Sequence, residues 1–179
     1  MSLIAGVLSA GMVLFNPAPV CAASAYDDAL KEKVSIYEDQ AREGLSPYFY
    51  AAGVPYIPSQ IKFLAFKAEK KVELWARHNR KWVYIHQFPI LGASGGPGPK
   101  LKQGDRQVPE GVYKITYLNP HSDYHLSMKI NYPDDFDKQV AAIDHRSNLG
   151  GDIFMHGSNV SLGCLAMGDR AIEVLFVLV

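Results

Sequence analysis

The segment His156-Gly-Ser-Asn-Val-Ser161-Leu-Gly163-Cys164 brings an imidazole, a small hydroxyl side chain and a thiol into nine residues. A thiol attacks a carbonyl only as thiolate, and a nearby imidazole can take its proton. The glycine before Cys164 lets other groups approach that backbone closely. His156 and Cys164 are eight residues apart, a gap that a strand end and a turn-rich loop can close. The chemistry this allows is cysteine acyl transfer, with Cys164 as nucleophile and His156 as base. The ring then needs a third group to fix its tautomer. A backbone carbonyl of the loop, such as that of Gly157, can serve in place of an aspartate. The N–H groups of Leu162, Gly163 and Cys164 are candidate oxyanion donors. The competing reading is a loop holding a histidine and a cysteine by chance.

The elements that must position this loop follow from periodicity. Residues 27–43 read as a helix, with Leu30, Val34, Tyr37 and Ala41 on one face and charges on the other. Pro47, Gly53, Pro55 and Pro58 are expected to break the chain into an extended entry segment up to residue 60. From Ile61 the pattern becomes that of strands: 61–67, 72–77, a turn at 78–81 and a strand over 82–90. Gly92 to Gly111 is a loop rich in Gly, Pro and Lys, followed by a strand over 112–118. Leu126, Met128 and Ile130 alternate with Ser127, Lys129 and Asn131, as in a half-buried strand. Residues 152–156 form a short strand into the His/Cys loop. Asp169 is placed to cap a last helix over 170–179, almost wholly apolar and hence buried or cut short; its abrupt end suggests a truncated C-terminus. One β-rich domain with one or two packing helices is the simplest architecture.

Of the 179 residues, 48% are hydrophobic, enough for one sizeable core, and 18 Lys+Arg balance 18 Asp+Glu. That balance argues against a nucleic-acid protein, which carries a basic excess. Leu3 to Phe15 is an apolar run, followed by Asn16-Pro-Ala-Pro and small residues to Ala25. This reads as a secretory signal peptide over 1–25, cleaved near Ala23 or Ala25, although no basic residue precedes the run. A retained N-terminal anchor is the alternative. The run is short for a membrane span, and no second one follows. Cys21 would leave with the signal peptide, making Cys164 the remaining thiol of an exported chain.

His156-Gly157 followed by Ser161-Leu-Gly-Cys164 resembles the signature of the L,D-transpeptidase (YkuD-like) catalytic domain family, and more closely its YafK-like branch. Further blocks similar to that branch are Gly98 to Tyr113, Leu118-Asn-Pro-His-Ser-Asp-Tyr-His-Leu-Ser127, Asn131-Tyr-Pro133 and Ser161 to Met167. The resemblance covers about residue 61 to the C-terminus. It implies a mainly β fold, a mixed-sheet β-sandwich with the cysteine at its rim, here carrying an N-terminal and a C-terminal helix. It also implies acyl transfer on peptidoglycan stem peptides of the diaminopimelate type, without a cofactor. Cys164 would form a thioester that an amine of another stem, a lipoprotein lysine, or water resolves. Ser161 and Gly163 match the positions that shape the loop. The broad family has His where this chain has Leu162, and Arg where it has Ala166. The YafK-like branch shares both departures, so they do not imply lost activity; they favour hydrolysis or release of a peptidoglycan-linked lipoprotein over ordinary cross-linking.

Other residues gain candidate roles around this site. Lys100, Lys102 and Arg106 could attract stem carboxylates, with Asp105 and Glu110 holding their loop by local hydrogen bonds. A phosphate-binding loop is excluded, since no Gly-Lys-Ser/Thr follows. Tyr124, Ser127, Tyr132 and Ser158 are candidates for lining the cleft, or else sheet neighbours. His121 and His125 are four apart, but Pro120 and the following strand argue against the helix a metal site would need. Asp144 and His145 are expected at the surface, Trp75 and Trp82 against the sheet, and Asn159-Val-Ser161 as a chance match to a glycosylation site. Three readings remain open: an exported cysteine enzyme acting on peptidoglycan in the periplasm or cell envelope, a non-catalytic peptidoglycan-binding module, and a metal-dependent hydrolase using His121, His125 and Cys164.

Overall fold

Tyr37, Ala41, Leu45 and Phe49 recur every four residues, and the last three are almost fully buried, so one apolar stripe runs on past Pro47. In the computed structural model, which describes residues 20–179 (side chains from residue 24), this stripe forms helix α1, Val20–Ala51. The helix is longer than the 27–43 expected. Pro47 removes one helical hydrogen bond, and burial of Leu45 and Phe49 on either side of it outweighs that loss. The stop comes at Gly53, at φ 67°. Gly53 N–H donates to Tyr50 O and Val54 N–H to Phe49 O, both at 3.0 Å, a Schellman ending with Val54 packed back toward Phe49. The expected signal peptide, 1–25, lies outside the described residues as far as residue 19; its last six residues open α1. Among the described residues no helix is long and apolar enough to cross a membrane.

Strands β1 (Ile61–Phe66), β2 (Lys71–His78) and β3 (Lys81–Pro89) form an antiparallel three-stranded sheet in that order. Asn79 and Arg80, at φ 48° and 64°, make the two-residue turn between β2 and β3. Val72, Leu74 and Ala76 point inward, while Glu73 and Trp75 lie on the outer face, where Lys62 covers the rings of Trp75 and Trp82.

The second sheet has five strands in the order β4-β8-β7-β6-β5. They are β4 (Gly92–Ala93), β5 (Ile115–Ser122), β6 (His125–Ile130), β7 (Phe154–His156) and β8 (Leu165–Ala166). Only β7 and β8 run parallel, so the sheet is mixed. Leu126, Met128, Met155 and Leu165 face the core shared with α3 (Asp169–Val177), whose Ile172, Leu175 and Phe176 are buried there. β5 starts three residues later than expected, leaving Val112 92% exposed. The architecture is mainly β with helices at both ends, as the sequence implied.

The two later helices also differ from expectation. Helix α2 (Asp135–Ile143) has Phe136, Val140 and Ile143 at helical spacing, though Phe136 and Ile143 stay exposed, and a capping box starts it: Asp134 accepts from Asp137 N–H, and Asp137 accepts from Asp134 N–H. Asp169 does not cap α3. The N-cap is Gly168, at φ 81° and without a side-chain bond, and Asp169 is the first helical residue.

Candidate active site

Residues of one row share a face of the five-stranded sheet: Asn119, Ser127, His156, Ala166 and Gly92 pair in succession. Cys164 immediately precedes β8 and lies two positions before Ala166, so strand alternation turns it to the face of His156. One strand spacing across and two residues along place the two backbones about 8 Å apart. The parallel β7–β8 pair thus sets His156 and Cys164 on neighbouring strand ends.

His156 is 3% exposed, and its Nδ1 is 2.6 Å from Gly157 O, so the imidazole donates to that carbonyl and Nε2 is left as the acceptor nitrogen. Burial lowers its pKa, with the Gly157 hydrogen bond working the other way. The half-buried Cys164 thiol reaches toward Asp152 O at 3.9 Å. Burial pushes the thiol up and the Asp152 charge adds to this; a backbone bond at Phe154 and the Lys100 charge oppose it. Both shifts favour a neutral imidazole and a neutral thiol at rest.

Ser161 builds the turn in front of the sulfur. Its hydroxyl donates to Cys164 O (2.6 Å) and accepts from Cys164 N–H (3.1 Å) and Gly163 N–H (3.3 Å). Two of the three expected oxyanion donors therefore point at Ser161 Oγ, because a serine hydroxyl caps the N–H groups two and three residues on. Gly163 sits at φ 114°, a conformation that favours glycine, and Leu162 is 74% exposed at the rim with Val160. Gly157 is required by space: a Cβ there would stand 2.5 Å from Asp169 Oδ1 and from Tyr124 O.

The remaining candidates divide. Tyr124 lies with its ring 4.6 Å from that of His156, tilted by 35°. Ser158, at φ 59°, donates its N–H to Asp169 Oδ1 at 2.7 Å. Lys102 and Arg106 are exposed, and Lys102 lines an open cleft of about 710 Å³ with Gln107, Arg146 and Asn148. Three others are corrected. Lys100 is 7% exposed and bonded to Asp105 (2.7 Å) and Lys102 O (3.0 Å), so its ammonium is held inside the loop. Tyr132 is buried, with its hydroxyl on Lys100 O and Leu149 O. Ser127 lies beside His156 in the sheet row but is buried, a floor residue rather than a cleft contact. Asp105 and Glu110 do hold the loop: Asp105 accepts from Leu101, Lys102 and Gln107 N–H, and Glu110 from Gly98 N–H and Lys67.

His121 and His125 do not gather with Cys164. His125 Nε2 bonds Glu173 Oε1 at 2.8 Å, and His121 is exposed. No group of three or more metal-binding side chains occurs among the described residues. Asp144 and His145 are exposed, as expected. Sequence reasoning missed Ser94, whose hydroxyl donates to Arg106 O (2.7 Å) and lies 3.4 Å from Ser161 Oγ, and it gave Asp169 only a capping role. Nothing in a Gly-rich loop marks one serine above its neighbours.

A mixed sheet that presents a histidine and a rim cysteine from adjacent parallel strands defines a domain of the L,D-transpeptidase type. The model of the YkuD L,D-transpeptidase catalytic domain matches residues 60–179, and the chain belongs to that family. It is 31% identical over 120 residues to YafK of Escherichia coli (strain K12), which its name ranks as an L,D-transpeptidase only provisionally; the O157:H7 protein matches equally. The match covers 66% of this chain, which spans about 46% of those relatives' length. Among solved structures, the helical cell shape determining protein Pgp2 from Campylobacter jejuni is similar in fold, with a TM-score of 0.52 at 21% identity over 73% of this chain and 50% of that one.

Proposed function

We propose that this chain is an exported cysteine acyl-transferase that acts on peptidoglycan stem peptides in the cell envelope, with a thioester on Cys164. One observation carries this reading: a buried imidazole whose Nδ1–H is fixed on Gly157 O ends the strand that pairs in parallel with the one Cys164 leads into. Cys164 Sγ attacks the carbonyl carbon of a diaminopimelate-type residue, and its proton passes to His156 Nε2. The tetrahedral oxyanion meets the N–H groups of the Leu162–Cys164 turn, once those of Gly163 and Cys164 swing from Ser161 Oγ. Collapse breaks the amide bond. The leaving amine takes the proton from His156, and the acyl group stays on sulfur. An amine of a second stem, giving up its proton to His156, then displaces the thiolate and forms the new amide. Lys102 and Arg106 attract the stem carboxylates.

A second reading keeps the thioester and resolves it with water, which trims stems or frees a peptidoglycan-linked lipoprotein. The rim favours it: Leu162 is apolar, and Ala166 is fully buried in β8, so neither position offers a cation to a second stem.

The test is mass spectrometry of the protein with diaminopimelate-type muropeptides, including tetrapeptide and lipoprotein-linked stems, beside Cys164→Ala. New cross-linked or exchanged species that depend on Cys164 support transfer. Shortened stems or released linker lysine support hydrolysis. No Cys164-dependent change in any muropeptide rejects both and leaves the binding-module reading. Because burial raises the thiol and lowers the imidazole, alkylation of the free enzyme by iodoacetamide should accelerate only above the ordinary cysteine range of about 8.5. A plateau near neutral pH would mean a preformed thiolate–imidazolium pair instead.

A further inference from the structure

The β5–β6 hairpin ends in a tip that solvent alone would leave loose. Ser122 and His125 pair across it, Asp123 and Tyr124 form the turn, and Tyr124 N–H donates to Ser122 Oγ at 3.2 Å. Here the tip is tied from behind. His125 is held at φ 74°, and its Nε2 lies 2.8 Å from Glu173 Oε1 on α3 and 3.4 Å from the Tyr37 hydroxyl on α1. Glu173 is 8% exposed, and its second oxygen accepts from Gln40 at 2.8 Å. Gln40 accepts in turn from Arg170 at 3.1 Å, so α1 and α3 meet on this one carboxylate.

The front of the tip faces the site. Gly157 N–H donates to Leu126 O, and the bare Gly157 Cα lets Tyr124 O come close. The ring of Tyr124, 45% exposed itself, then covers His156. A single tilted aromatic pair is too weak to order a hairpin tip alone. The contacts behind it must do that.

We propose that Glu173 is a positioning residue: by holding His125 it seats the Tyr124 ring over His156, shields that imidazole from water, and fixes the orientation of its Nε2. Only the use of Nε2 as a base rests on the function proposed above; the clamp and the cover stand on geometry. The groups facing His125 are Tyr37 and Gln40 from α1 and Glu173 from α3, with Arg170 and Asp169 on the turn before. Those facing His156 are Gly157 O and the Tyr124 ring.

The experiment is a pH titration of the His156 side chain by nitrogen-15 NMR on the full chain, with thermal unfolding of each variant alongside. Tyr124→Ala removes the cover, so the His156 midpoint should move upward, toward the ordinary imidazole range. Tyr124→Phe keeps the ring and should leave the midpoint in place. Glu173→Ala should reproduce the upward shift although Tyr124 is intact. Glu173→Gln, whose amide oxygen still accepts from His125, should restore the original midpoint. A Glu173→Ala protein that melts earlier but titrates unchanged at His156 would make Glu173 merely structural and overturn the proposal. An unchanged midpoint in Tyr124→Ala, an exposed tip residue whose loss leaves the core whole, would overturn it as well. The titration uses no substrate, so inactivity on muropeptides would reject the proposed function without touching this result.

Discussion

In the three-stranded sheet β1, β2 and β3 pair over six to nine residues through short turns, whereas β4, β7 and β8 around the site contribute two or three residues each. The first region is held by ladder bonds and a buried apolar face. The second is held by side chains bonded to backbone: Ser161 on Cys164, Asp169 on Ser158, Asp105 on the 101–107 loop. Left-handed residues concentrate there too, among them Asp152, Ser158 and Gly163. The regular sheet carries stability, and the irregular one places the reactive groups at some cost in regularity.

Substitutions should separate the two regions. The largest loss of stability is expected from Leu74→Ala in the fully buried face of β2, about 3 kcal/mol by denaturant unfolding. Cys164 alkylation of the protein that remains folded should match wild type; altered reactivity would mean the two sheets are coupled. Gly157→Ala reverses the balance. Its Cβ meets Asp169 and the Tyr124 carbonyl, so about 2 kcal/mol of stability should go. Turnover should fall on the order of 100-fold, because the His156 partner shifts.

Asp105→Asn tests the loop. Burial works against the Asp105 charge, but Lys100 and three backbone N–H groups more than offset it and hold the carboxyl well below the usual carboxylate range. Its contribution is therefore full above the unfolded value near 4 and is lost as pH falls below that toward the folded value. Asp105→Asn should cost about 1.5 kcal/mol at neutral pH and make unfolding less sensitive to acid; an unchanged acid profile would remove Asp105 from that account. Smallest of all, Lys102→Ala should alter stability by under about 0.5 kcal/mol while weakening salt-sensitive binding of stem peptides. Unchanged binding would take Lys102 out of the site.

The same contrast explains what was legible. β1 to β3 and β6 follow the two-residue period, so their placement came within about a residue of that expected from pattern alone. α1 ran past Pro47 because its stripe is buried, a fact that propensity does not contain. α2 is announced by a capping box of two aspartates and by Phe136, Val140 and Ile143 at helical spacing, signals that a nine-residue helix makes easy to miss. Lys100 and Tyr132 looked available because Lys and Tyr usually keep their polar ends in water; the loop over 97–107 folded around them instead.

The sequence by itself determined which groups can react: one histidine and one cysteine in a short loop, next to glycines that allow close approach, on a chain patterned for strands. Tertiary structure decided the rest. The parallel pairing of β7 and β8 sets His156 and Cys164 on neighbouring strand ends, and two helices meeting on Glu173 tie the hairpin whose Tyr124 lies over the His156 ring. Side-chain type and local spacing are written along the chain, but burial and facing arise from contacts between residues far apart in it, and these set which polar groups are free to act.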